Sequence, residues 1–241
     1  MANSFFSFKQ FTIHQDQCAM KVCTDACLFG AWTASYLSSA GFAGQAILDI
    51  GSGTGLLSLM LAQQLPNAHI DTVELDTTAA IQAEQNFQSS PWKERIQMYQ
   101  ADIKEISLKK KYDFIISNPP FFENDLKTNS AARNLALHSQ ALSLEELINT
   151  VSGLISPDGE FGVLLPFHRS SYFEAIAAKQ NFYPATRISI RQTPHHDYFR
   201  SILCFSKKSK ITRETSITIK DELNEYSVAF SQLLKDYYLF L

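Results

Sequence analysis

The run Ala46-Ile47-Leu48-Asp49-Ile50-Gly51-Ser52-Gly53-Thr54-Gly55-Leu56-Leu57-Ser58 narrows the possible folds more than any other part of this chain. A short apolar stretch ends in alternating glycines, and apolar residues at helical spacing follow in Leu57, Met60, Leu61 and Leu65. That order predicts a strand, a tight turn and a helix, the opening unit of an α/β fold. Glycines at such a turn let a ligand approach the backbone. A dinucleotide would also suit a glycine-rich turn, but its fingerprint wants glycine or alanine at the sixth position, where Leu56 stands. Asp49 would moreover sit close to the pyrophosphate. An anionic ligand is therefore disfavoured, and Asp49 better suits a ligand carrying an ammonium group.

The second constraint is Asp113-Phe114-Ile115-Ile116-Ser117-Asn118-Pro119-Pro120-Phe121-Phe122, an apolar strand ending in Asn-Pro-Pro-aromatic. Two successive prolines fix φ and remove two backbone donors, so the chain leaves the strand with unpaired, projecting carbonyls. Asn118 adds a side-chain acceptor beside them. Phe121 and Phe122 offer flat faces of the kind on which unpaired bases stack. Together these groups suit the holding of a planar exocyclic amine for methylation. S-adenosylmethionine, which carries an ammonium and no phosphate, matches the upstream turn as donor, with Gly51, Ser52 and Gly53 against it and Asp49 facing the ammonium directly or through water. Glu74 closes the strand-like His69–Glu74 and is placed to accept from ribose hydroxyls. Asp102 follows the strand-like Arg95–Ala101 and could accept from the cofactor adenine. Asn118 would border both cofactor and substrate.

A chain of 241 residues is long enough for one α/β domain with a full core. Its net charge of −3 is not that of a protein coating nucleic acid, so RNA contact has to use local patches. Between Arg187 and Arg213 lie Arg191, Arg200, Lys207, Lys208 and Lys210 against one acid, Asp197, with His195 and His196 among them. Lys109-Lys110-Lys111 forms a second basic run. Lys207, Lys208, Lys210 and Arg213, with the three lysines of the second run, are the candidate phosphate contacts; the alternative is that both runs are solvated turns. Cys18, Cys23, Cys27 and Cys204 lack a paired Cys-x-x-Cys and match no zinc spacing, so reduced thiols and no metal are expected. No basic-then-apolar leader and no bilayer-length apolar run occur, so a cytoplasmic enzyme with no membrane partner is expected. A monomer is the accompanying expectation, although no residue pattern here fixes the oligomeric state.

Elsewhere the pattern alternates between strands and helices. Glu123 to Ser139 reads as a long loop or lid, Ser143-Leu144-Glu145-Glu146 as a helix start, and Pro157-Asp158-Gly159 as a turn into the strand Glu160–Leu165. Strands are expected at Thr186–Ile190 and Ser201–Phe205, and an amphipathic helix over Asn224–Leu241. One domain is expected, with residues 1–45 capping cofactor and substrate, 46–206 forming the catalytic core, and 207–241 a basic stretch and terminal helix.

From Ala46 to Phe205 these motifs resemble the class I S-adenosylmethionine-dependent methyltransferases. That resemblance implies a Rossmann-like, seven-stranded, mostly parallel sheet with helices on both faces and its last strand antiparallel. The opening segments Phe8–Phe11 and Cys18–Trp32 are similar to the start of the bacterial tRNA adenine-N6 methyltransferases, which modify adenine 37, next to the anticodon, in tRNA1(Val). The likeness implies tRNA, through its anticodon stem-loop, as partner, and places Thr24 and Asp25 near the methionine end of the cofactor. Cys23 and Cys27 stand where that family has glycine, a change that is costly only if either backbone needs positive φ. Three rivals share parts of the pattern. A release-factor glutamine methyltransferase resembles a longer chain with a helical domain before the turn. A ribosomal RNA guanine-N2 methyltransferase shares Asn-Pro-Pro-Phe. A non-catalytic RNA- or nucleotide-binding module would not need Asp49, Glu74 and Asn118 together.

Overall fold

Alternating apolar residues in the central strands feed two separate cores, and this two-sided burial forces helices onto both faces of a sheet. The computed structural model describes residues 3–39, 41–42, 45–120 and 142–241. An N-terminal hairpin, β1 (Phe5–Ser7) and β2 (Thr12–His14), leads into helix α1 (Thr24–Ser39). The main sheet contains β3 (Ala46–Ile50), β4 (His69–Glu74), β5 (Ile96–Gln100), β6 (Tyr112–Ser117), β7 (Ile155–Pro166), β8 (Tyr183–Arg191), β9 (Tyr198–Ser206) and β10 (Arg213–Thr218). Their spatial order is β10-β8-β9-β7-β6-β3-β4-β5. Among the described strands of this sheet only β9 runs against its neighbours.

The seven expected strands are β3 to β9, with the antiparallel one last. An eighth, β10, extends the β8 edge in parallel. Of its residues only Ile217 is buried, so the sequence there carries no hydrophobic alternation that would mark a strand. Arg213, expected to follow the final strand, instead begins this one.

In β6, Phe114 and Ile116 enter one core while Tyr112 and Ile115 enter the other. The first core is completed by α1, α2 (Leu56–Gln64), α3 (Thr77–Gln88), the N-terminal hairpin and the chain's end. The second is covered by α4 (Leu144–Leu154) and α5 (Ser170–Lys179). Strands buried on both faces read as continuous apolar runs, as β6 and β7 do.

The expected helix start at Ser143 is a complete capping box. Its hydroxyl accepts from the Glu146 amide while Glu146 accepts from the Ser143 amide. Pro157-Asp158-Gly159 is not a separating turn but part of a bulge inside β7. Ile155 pairs with Tyr112 and Glu160 with Phe114, so Ser156 to Gly159 face the single residue Asp113. The terminal helix is also shorter than expected: α6 spans Val228–Leu234. Asp221 accepts from the Leu223 and Glu225 amides, and Asn224 takes φ 64°, so a turn consumes the first part of the expected helix. Ser227 then caps α6 by accepting from the Phe230 amide. The expected loop from Glu123 to Ser139 lies outside the described residues.

Candidate active site

The parallel strands bring their carboxyl ends to one edge of the sheet, where open α/β folds bind ligands. Ile50 of β3 pairs with Val73 of β4 and with Ser117 of β6, so the glycine turn, Glu74 and Asn118 emerge side by side. Ser117 fixes this arrangement by donating its hydroxyl to the Ile50 carbonyl at 2.8 Å. The strand carrying Asn118 is thereby tied to the strand carrying the turn.

Gly51 and Gly53 adopt φ of 73° and 53°, a region that other residues enter only with strain. A Cβ at either would meet no atom within 4 Å, so the turn presents bare backbone to open space. Gly55 is needed for a different reason. It has φ 81°, and a Cβ there would lie 2.4 Å from the Phe87 ring. The turn is held from below by the Gly51 and Ser52 amides donating to the Val73 carbonyl. From the side, the Gly53 amide donates to Glu74 Oε2 at 2.8 Å. The other Glu74 oxygen accepts from the Asp76 amide. Each carboxylate oxygen retains a second lone pair for a hydroxyl.

Asp49 is fully buried beneath the turn. Its Oδ2 accepts from the Ser58 hydroxyl at 2.7 Å, while Oδ1 has no partner. Burial pushes its pKa up to about 7, with the nearby negative charge of Glu74 adding to the rise and the Ser58 bond opposing it. A cation above the turn would restore its charge. Asn118 Oδ1 is likewise buried without a partner. Pro119 is buried and Pro120 exposed; Phe121 and Phe122 lie outside the described residues. Asp102, just beyond β5, accepts from the Lys104 amide at 2.9 Å and begins a turn. Thr24 and Asp25 open α1, and Arg200 at the start of β9 donates to Asp25 Oδ2 at 2.8 Å. Since Arg200 pairs with Pro166 at the end of β7, Asp25 lies on the same sheet edge as Asn118.

The basic runs are not brought to that edge. Lys109 to Lys111 precede β6, and Lys207, Lys208, Lys210 and Arg213 lie where β9 ends and β10 begins, at the opposite end of the sheet. Several of these cations engage internal partners. Lys110 meets Asp71 at 2.8 Å, Lys208 meets Asp158 and Lys210 meets Glu160, each at 2.5 Å, while Lys207 and Lys111 donate to the Ser152 and Gly153 carbonyls. Arg187, in the same cluster by sequence, forks onto Glu174 and also meets Glu214.

Neither Cys23 nor Cys27 has positive φ, so cysteine is tolerated at both positions. Burial pushes both thiols up to about 12, which leaves them protonated. Among the described residues the four cysteines are free, and no cluster of His, Cys, Asp or Glu could hold a metal. No described helix is long and apolar enough to cross a membrane.

Three positioning residues escape a linear reading. Ser58 holds Asp49, Ser117 aligns the two strand ends, and the buried Asn86 of α3 ties the turn to the hairpin. Asn86 donates to the carbonyls of Thr54 and His14 and accepts from the His14 amide, each at 2.9 Å. Ser58 and Ser117 are visible only as polar residues in mainly apolar elements, and Asn86, in a helix rich in Gln and Thr, carries no such signal.

Comparison with known proteins agrees with this geometry. Residues 33–146 match the family described as Methyltransferase small domain. The tRNA1(Val) (adenine(37)-N6)-methyltransferase of Bacteroides fragilis is 40% identical over 242 residues, covering 99% of each chain. The protein of the same name from Photorhabdus laumondii is 41% identical, covering 98% of this chain and 95% of its own. Among solved structures, a predicted O-methyltransferase of Agrobacterium tumefaciens superposes with a TM-score of 0.66 at 16% identity, covering 88% of this chain and 96% of that one, which speaks to the fold alone. With the glycine turn, the acidic strand end and the Asn-Pro-Pro corner assembled on one sheet edge, the chain belongs to the tRNA1(Val) (adenine(37)-N6)-methyltransferase family of class I S-adenosylmethionine-dependent methyltransferases.

Proposed function

We propose that this protein methylates the N6 amine of adenine 37 in tRNA1(Val), as the names of its relatives describe for them. The observation that carries the proposal to this chain is the buried, partnerless Oδ1 of Asn118, level with the glycine turn. A buried acceptor without a donor is costly, and an incoming amine would satisfy it.

S-adenosylmethionine, when bound, supplies an electrophilic methyl group. Gly51, Ser52 and Gly53 would lie against it, Glu74 would accept from its ribose hydroxyls, Asp102 from its adenine amine, and Asp49 would face its ammonium. Thr24 and Asp25 would close the methionine end. The partnerless Asp49 Oδ1 and the open face of the turn both fit such a ligand.

The adenine amine is a poor nucleophile because its lone pair is delocalised into the ring. If Asn118 Oδ1 and the Pro119 carbonyl each accept one N–H, the nitrogen is drawn toward tetrahedral geometry and the lone pair is directed out of the ring system. Positioning and fixed dipoles then do most of the catalysis, and a strong base is unnecessary because methyl transfer leaves the amine positively charged, and in that state it is acidic and releases a proton to water. Phe121 and Phe122 are assigned to stacking on the base. An anticodon-loop base is already unpaired and needs only to be unstacked. The lysine runs Lys109–Lys111 and Lys207, Lys208, Lys210 with Arg213 sit a strand length away, about 20 Å at ~3.3 Å per residue. They can meet only phosphates remote from the reacting base.

The test is nucleoside mass spectrometry of unmodified tRNA incubated with enzyme and cofactor. N6-methyladenosine is expected. Asn118→Ala should lower turnover about 100-fold or more while S-adenosylhomocysteine affinity stays within a few-fold. Methyl found on guanine or on protein glutamine would reassign the substrate, and near-normal turnover by the variant would overturn the amine clamp.

A further inference from the structure

The negative net charge raises the question of where RNA docks near the reacting base. Four chain segments meet at the carboxyl edge of the sheet beside the Asn118 corner. A single 3-10 turn, Phe167–Arg169, follows β7; α5 begins with Ser170; Gln192 to Asp197 follow β8; and Tyr198 opens β9. Phe167, Tyr172 and Tyr198 are 39%, 41% and 37% exposed, whereas most other described aromatic side chains are buried or half-buried. The Phe167 and Tyr198 rings are 5.3 Å apart and tilted against each other. Arg169 lies over the Tyr172 ring at 5.0 Å, and Arg191 over Tyr198 at 5.7 Å.

Neither guanidinium has a carboxylate partner among the described residues. Arg191 donates instead to Thr218 Oγ1 and the Pro194 carbonyl. This contrasts with Arg187 in the middle of β8 and with Lys208 and Lys210 at the opposite end of the sheet, all neutralised by acids. Desolvating an arginine already committed to a carboxylate gains little for a new anion, whereas Arg169 and Arg191 keep theirs available.

We propose that Phe167, Arg169, Tyr172, Arg191 and Tyr198 form a stacking platform for the unpaired nucleotides flanking the adenine that enters the Asn118 corner. Exposed rings interleaved with unneutralised guanidinium groups suit single-stranded RNA, in which every base offers a face to stack and every linkage a phosphate to pair. The distances agree. β7, β9 and β8 are the first, second and third strands beyond β6, so at about 4.8 Å per strand the platform spans roughly 5–15 Å from the Asn118 strand. With stacked bases about 3.4 Å apart, that covers a few nucleotides. The platform rests on the RNA-methyltransferase assignment above and extends it by naming the surface that receives the loop.

The test compares wild type, the double variant Phe167→Ala/Tyr198→Ala, the aromatic-preserving Phe167→Tyr/Tyr198→Phe, and Arg169→Gln. Steady-state methylation of tRNA, S-adenosylhomocysteine calorimetry, and anisotropy of a labelled anticodon hairpin titrated at several salt concentrations are read for each. The double Ala variant should raise the KM for tRNA about 10-fold or more with kcat and cofactor affinity retained, and the aromatic-preserving pair should restore it. Arg169→Gln should flatten the slope of log affinity against log salt by roughly 0.7–0.9. If wild type methylates tRNA and these variants keep its KM and salt slope, the platform is wrong while the function stands. If wild type methylates no RNA, the function fails, and the hairpin titration alone decides: weaker binding by the Ala variant supports the platform, and equal binding overturns it.

Discussion

Replacing Asp49 by Asn should change how stability depends on pH. The perturbation is nearly isosteric, and the Ser58 hydroxyl can still donate to the amide oxygen. In the folded protein burial holds the Asp49 carboxyl up to about 7, against an ordinary 3.8. From pH 4 to 7 the unfolded chain has released this proton while the folded chain still binds it. The folded state therefore holds more protons, and wild-type stability falls as pH rises through that window before levelling above about pH 7. At 1.36 kcal/mol per unit, the full penalty is about 4 kcal/mol, and about 2–3 kcal/mol of it develops between pH 5 and pH 8. The Asn variant lacks this dependence. Its buried NH2 can cost ~1–3 kcal/mol if unpaired, but that cost does not vary with pH. Urea denaturation of both proteins at pH 5, 6, 7 and 8 separates the two effects, since only the difference between the curves carries the titration. The variant should gain on wild type by about 2–3 kcal/mol across the range. Curves that stay parallel within about 1 kcal/mol would refute the burial of a titrating carboxyl beneath the turn.

The same carboxylate, if it faces the cofactor ammonium, should make wild-type affinity for S-adenosylhomocysteine about tenfold higher at pH 8 than at pH 6, and calorimetry should find this dependence absent in Asp49→Asn. Glu74→Ala should weaken cofactor binding by about 1.5–3 kcal/mol, because it removes the proposed ribose acceptor together with the brace on the Gly53 amide; unchanged affinity would return Glu74 to a purely structural role. Replacing Lys207, Lys208, Lys210 and Arg213 with Gln should weaken binding of full-length tRNA and flatten its salt slope while leaving a short anticodon hairpin unaffected, since these residues lie at the far end of the sheet. Full-length tRNA bound with an unaltered slope would mark that run as a solvated edge.

What is legible in the amino-acid sequence is local. The glycine turn and the Asn-Pro-Pro corner are contiguous, and their backbone demands are written in glycine and proline, so residue order alone places both. Asp49 and Glu74 are legible as strand-end acids. The depth of Asp49 is not, because its burial depends on Ser58 and on the helix packed over it. β10 escapes a pattern reading because five of its six residues point at solvent or the rim and only Ile217 is buried, while the β7 bulge imitates a turn. The lysine runs show a limit of a different kind. Clustering along a chain says nothing about which end of a sheet the cluster reaches, and an antiparallel strand reverses the answer: β9 begins beside the active site with Tyr198 and Arg200 and ends across the sheet, where Lys207 and Lys208 follow it. Basic residues that are close in number are thereby divided between two surfaces.

Asn86 has a bearing on how the protein opens. One buried side chain, 1% exposed, clamps both the amide and the carbonyl of His14 and the carbonyl of Thr54. Lifting the N-terminal hairpin breaks two of those bonds at once and strands a polar group inside the domain, while the same side chain still grips the residue before Gly55. The hairpin and the glycine turn therefore belong to one cooperative unit, whose amide protons should exchange with solvent together and at the same free energy rather than fraying from the terminus inward. A chain end that looks peripheral is, by this measure, part of the floor on which the cofactor loop stands.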